Sequence, residues 1–109
     1  MSIYFDNAAT TVQKPPQVTE AIYEALSSQK YGNPSRGAHG YSLNAYHKIF
    51  EGRQRIKQLF SATDAYEVAF TANSTMALNE VLKGLLVPGK HVLTTSWEHN
   101  SVLRPLYQL

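Results

Sequence analysis

Apolar residues in the first sixty positions recur at helical spacing. Val18, Ala21, Ile22, Ala25 and Leu26 line one face and predict a helix over 16–28. Pro15 and Pro16 suit its first turn, where a missing N–H costs nothing. Ahead of it, residues 1–15 read as an arm: Ile3, Tyr4 and Phe5, then the small and polar run Asp6-Asn7-Ala8-Ala9-Thr10-Thr11. Tyr31-Gly32-Asn33-Pro34-Ser35 breaks the pattern, and Gly37 and Gly40 keep the stretch irregular. A second helix is expected over 41–60, with Tyr46, Ile49, Phe50, Ile56 and Phe60 as its apolar stripe. Gly52 weakens it by about 1 kcal/mol against alanine. Residues 16–60 therefore read as two helices.

The period changes from residue 67. Val68-Ala69-Phe70-Thr71 is a short apolar run of the buried-strand type, and His91-Val92-Leu93-Thr94-Thr95 is a second. Between them Leu78, Val81, Leu82 and Leu85 mark a third helix, and Pro88-Gly89 turns the chain. Strand, helix and strand over 67–95 make a βαβ unit, whose strands run parallel with a right-handed crossover. A further helical segment starts near Asn100, disturbed by Pro105. Two parallel strands do not finish a sheet that must be covered on both faces. The expected class is thus α/β, with residues 1–109 opening a larger domain.

Composition narrows the chemistry. The chain has 109 residues, a net charge of +2 and no cysteine. That charge gives no case for nucleic acid or an anionic membrane as partner. Without cysteine there is no disulfide, no thiolate zinc site and no thiol nucleophile. His39, His47, His91 and His99 share no metal-ligand spacing, so no metal site is expected. Neither a signal peptide nor a membrane span is read, and a cytoplasmic protein is expected. The basic residues Lys48, Arg53, Arg55 and Lys57 read as a solvated helix face interrupted by Glu51.

Three places could carry chemistry. At Phe70-Thr71-Ala72-Asn73-Ser74-Thr75 a strand ends and a helix begins, leaving unpaired N–H groups and two hydroxyls suited to an anion. Asn73 or Ser74 could equally do no more than cap that helix. At Ser96-Trp97-Glu98-His99-Asn100 a histidine could stack on a ring or shuttle a proton, or simply sit at a helix start. The third is the arm Asp6 to Thr11 with the loop from Tyr31 to His39: such segments are usually surface packing, but Arg36 and His39 could instead bind a carboxylate, arginine through its planar fork.

Asp6 to Thr11, Gly32-Asn33-Pro34-Ser35 with His39, Phe70-Thr71 through Ser74-Thr75 with Asn79, and Glu98-His99-Asn100 follow one another in a set order. Together they resemble the successive N-terminal motifs of the class V aminotransferase group, nearest its cysteine desulfurase and selenocysteine lyase branch. Asn100 to Leu106 strengthens the likeness. Two positions depart from the pattern: Asn73 stands where glycine is frequent, and Met76 where an acidic residue is frequent.

The resemblance implies a fold-type I, pyridoxal-phosphate-dependent enzyme, a homodimer with a mainly parallel sheet. It implies that Ser74 and Thr75 hold the cofactor phosphate, and that His99 stacks over the ring and assists proton transfer. Asn7, Ala8 and Arg36 would lie on the substrate side. The implied reaction takes L-cysteine to L-alanine and passes sulfur to an enzyme cysteine and on to an acceptor protein. Selenocysteine lyase and aminotransferase activities, and a stand-alone phosphate-binding module, are the alternatives. The six lysines (Lys14, Lys30, Lys48, Lys57, Lys83, Lys90) match no cofactor-lysine context, with Lys83 and Lys90 expected at the far end of the βαβ unit. The 109 residues are therefore expected to be a catalytically incomplete piece of the larger enzyme.

Overall fold

The computed structural model describes residues 3–109. The chain forms two compact units, one ending at Ala65 and the other running from Tyr66 to Leu109.

In the first unit, α1 (Pro16–Ser27) starts at the proline pair, and Ser28 closes it by donating its N–H to the Glu24 carbonyl at 3.0 Å. Its apolar stripe stays largely uncovered among the described residues: Ile22 and Leu26 are 54% and 79% exposed. The second helix, α2 (Gly40–Phe60), begins with a side-chain cap, as His39 Nδ1 accepts from the Ser42 N–H at 3.3 Å. It runs through Gly52 and ends in a Schellman arrangement. Ser61 is left-handed at φ 54° and donates to Gln58, while Ala62 donates to Lys57. The preceding loop folds back on the helix start, with Gly32 N–H donating to the Tyr41 carbonyl at 2.9 Å and Asn44 Nδ2 to the Lys30 carbonyl at 3.2 Å. Ser42 and Ala45 are buried there.

In the second unit, α3 (Ser74–Leu85) packs against α4 (Asn100–Gln108), the only helix pair in close contact among the described residues. Between them Pro88-Gly89 makes the expected turn, with Gly89 at φ +88° and Lys90 N–H donating to the Val87 carbonyl at 3.1 Å. A single 3-10 turn, Ala65–Glu67, lies between α2 and α3.

The expected βαβ unit is not formed. Neither Val68–Thr71 nor His91–Thr95 pairs as a strand, and no strand occurs among the described residues. Extended segments gain from a ladder only when neighbours satisfy both edges and helices cover both faces. Here Phe70 is 56% exposed and Leu93 wholly so. No helix among the described residues is long and apolar enough to cross a membrane.

Candidate functional site

The start of α3 is built by Asn73. Its backbone is extended, and its Oδ1 accepts from the Met76 N–H at 2.9 Å while its carbonyl accepts from the Ala77 N–H at 3.2 Å. Thr71 Oγ1 also donates to the Asn73 carbonyl, at 2.9 Å. The N–H groups of Ser74 and Thr75, one residue and two into the helix, have no intrahelical carbonyl to meet. With the positive end of the helix dipole behind them and two exposed hydroxyls beside them, they form a donor set suited to phosphate.

The start of α4 is built by His99. Its Nδ1 accepts from the Ser101 N–H at 3.1 Å and lies 2.9 Å from the Ser101 hydroxyl. The two helix starts are joined by Asn79, which donates to the Thr75 carbonyl at 2.9 Å and to the Ser101 carbonyl at 3.5 Å. As a result Thr75 and His99 line one cavity of about 370 Å³, with Asn79, Lys83 and Arg104 also in its wall. That wall carries two side-chain cations and no carboxylate.

Of the residues singled out from the sequence, the structure brings Thr75 and His99 together. Ser74 begins the same helix turn. Lys83 was expected away from the phosphate contacts, yet it lines this cavity, two turns beyond Thr75 on the same helix face as Asn79. Ser101 and Arg104 fell within the resembling run Asn100 to Leu106 but were given no role of their own. The i, i+4, i+8 spacing of Thr75, Asn79 and Lys83 was the available signal.

Asn7, Ala8 and Arg36 belong to the first unit. Asn7 and Ala8 sit in an exposed turn, where the Asp6 carbonyl accepts from the N–H groups of Ala9 and Thr10, both at 3.2 Å. The Tyr4 hydroxyl straps that turn by donating to the carbonyls of Asp6 and Thr10 at 3.0 and 2.9 Å. Arg36 closes a second turn: its N–H donates to the Asn33 carbonyl at 3.4 Å, and Asn33 Oδ1 accepts from the Ser35 N–H at 2.8 Å. His39 is used locally, as the α2 cap.

The Aminotransferase class-V family matches residues 3–109, and the chain belongs to that family. Class V aminotransferases share the fold-type I architecture and depend on pyridoxal 5'-phosphate. The chain is 34% identical to a protein named cysteine desulfurase IscS from Vibrio atlanticus (strain LGP32), over all of this chain and 28% of the relative. It is 36% identical to the protein of that name from Acinetobacter baumannii (strain AYE), over 98% of this chain and 27% of the relative. The chain thus spans little more than a quarter of the length of the curated relatives it matches. No solved structure matches it.

The residues present fit that cofactor. A phosphate dianion needs N–H and hydroxyl donors without a competing carboxylate, and the α3 start and cavity wall supply both. A planar ring needs a flat side chain beside it, and the His99 imidazole is held by its cap on the same wall.

Proposed function

We propose that this chain supplies the phosphate anchor and the ring-facing histidine of a cysteine desulfurase-like enzyme. The observation carrying the reading is that Thr75 and His99 line one cavity whose wall holds cations and no carboxylate. The names of the relatives support L-cysteine as the substrate.

When bound, pyridoxal phosphate supplies the electron sink for bond cleavage at the amino acid. Ser74 and Thr75 bind its phosphate through first-turn N–H groups and hydroxyls. His99 lies against the ring and holds a proton at Nε2, since Nδ1 is occupied as an acceptor. Asn7, Ala8 and Arg36 act on the substrate side, with the Arg36 guanidinium as carboxylate partner. The sulfur leaves L-cysteine as L-alanine forms, and is taken by a cysteine thiolate and then an acceptor protein. The chain has no cysteine of its own, so these 109 residues alone do not turn over. Homodimerisation belongs to the same reading. So does a cytoplasmic setting, where thiols stay reduced.

Titration of the chain with pyridoxal phosphate tests the reading. Thr75→Ala removes a hydroxyl aimed at a charged group, so the dissociation constant should rise roughly tenfold. Inorganic phosphate should compete. Equal constants for wild type and variant would make Thr75 a helix-start residue only.

A further inference from the structure

The proline inside α4 has a consequence for the site. Pro105 carries no N–H, so the Ser101 carbonyl, four residues earlier, receives no intrahelical bond from it. Asn79 Nδ2 reaches that carbonyl from α3, at 3.5 Å, while donating to Thr75 at 2.9 Å. Ser101 itself is 8% exposed, and it meets His99 twice: by its N–H at 3.1 Å and by its hydroxyl at 2.9 Å, both on Nδ1. A backbone N–H only donates, so Nδ1 must be the unprotonated nitrogen and Nε2 the protonated one. The hydroxyl, free to rotate, then donates to Nδ1 as well.

We propose that Ser101 and Asn79 are positioning residues of the cofactor site. Ser101 locks His99 as its Nε2–H tautomer, and Asn79 ties that locked ring to the Thr75 turn. The proposal rests on the reading of Thr75 and His99 as cofactor contacts and adds the two residues that set their relation. Ser101 acts through the imidazole, and Asn79 through two carbonyls: that of Ser101, which Pro105 leaves without its helical donor, and that of Thr75 in the first turn of α3.

Long-range nitrogen-15 correlation spectra of the His99 ring in the 109-residue chain test this without any cofactor. In wild type, Nδ1 should resonate as an unprotonated acceptor and Nε2 as a protonated nitrogen. Ser101→Ala keeps the backbone donor and loses the hydroxyl, so the minor tautomer should grow about fivefold and the two shifts should converge. Ser101→Thr restores the hydroxyl and should restore the wild-type shifts, separating tautomer control from simple packing. Asn79→Ala should leave the tautomer in place but raise the pyridoxal phosphate dissociation constant about fivefold. A protonated Nδ1 in wild type, or ring shifts unchanged in Ser101→Ala, overturns the proposal whatever the cofactor does. The cofactor reading has its own readout, the movement of wild-type His99 signals on adding pyridoxal phosphate.

Discussion

Asn73 Oδ1 accepts the backbone N–H of Met76 at 2.9 Å, so the two positions that depart from the family pattern are joined by one hydrogen bond. With glycine in place of Asn73, that N–H would face an incoming anion unclaimed. The asparagine therefore stabilises the helix start and competes with a ligand for one of its donors. Replacing a good cap by glycine costs only a few tenths of a kcal/mol, whereas alanine costs about 1 kcal/mol. Asn73→Gly should thus bind pyridoxal phosphate several-fold more tightly with little loss of stability, a gain of roughly 1 kcal/mol for one freed donor. Parallel cofactor titration and urea unfolding of Asn73→Gly and Asn73→Ala would measure both effects. Weaker binding by the glycine variant would show that the cap helps the ligand rather than competing with it.

Gly37 sits at φ +93°, and a Cβ there would come within 2.8 Å of His39 Cδ2. Gly37→Ala should therefore destabilise the first unit by about 1–2 kcal/mol through left-handed strain alone, with loss of the His39 cap in addition. Gly40, by contrast, lies in α2 with open space where an added methyl group would sit, so Gly40→Ala should be neutral or mildly stabilising. Thermal unfolding followed by circular dichroism separates the two. Equal midpoints would mean that the turn before α2 is not specified by Gly37.

Glu51 is flanked on α2 by Arg55 one turn later and Lys48 three residues earlier, the latter at 3.4 Å. The Arg55 guanidinium, and then the Lys48 ammonium, hold its carboxyl below the ordinary carboxylate value of 4.5. A lowered folded value means the contribution is fully present above the ordinary carboxylate range. It is lost as pH falls through the folded value. The pair is exposed, so the effect is small and screened by salt. Helicity should show a shallow acid step that Glu51→Gln removes and 1 M salt, at a Debye length of about 3 Å, suppresses. A step unchanged by Glu51→Gln belongs to other carboxylates.

Lys83 shares the cavity of Thr75 and His99, which makes it the lysine to watch. A stable cofactor link needs a lysine beside the bound ring with its ammonium deprotonated by its surroundings. Lys83 is exposed, and its α-carbon stands about 12 Å along the helix from that of Thr75 at 1.5 Å per residue. Borohydride reduction with pyridoxal phosphate, followed by mass spectrometry, should give low labelling scattered over several lysines. One stoichiometric label at Lys83 would show that the chain completes the site without any further lysine.

The helices were legible in the sequence because their signals are local. Expected over 16–28 and 41–60, the first two run over Pro16–Ser27 and Gly40–Phe60. The Schellman stop at Ser61 was not legible, since a serine takes the left-handed position that usually marks itself with glycine. At Asn73 the structure shows the cap, its side chain accepting from the Met76 N–H, and the anion site stays a proposal for the cofactor titration. The two strand-type runs carried the right apolar character, but a strand is completed by a ladder and neither run pairs in one among the described residues.

Sequence alone determined where the helices begin and which family the motifs resemble, because each depends on residues within a few positions of one another. The bridge from Asn79 to Ser101 spans 22 positions, and nothing local announces it. It exists because Pro105 leaves a carbonyl open and α3 lies against α4. The same packing sets Lys83 and Arg104 into one wall with Thr75 and His99. Tertiary structure decided these, since a hydrogen bond or shared cavity between distant residues depends on how two helices meet, and periodicity describes only one helix at a time.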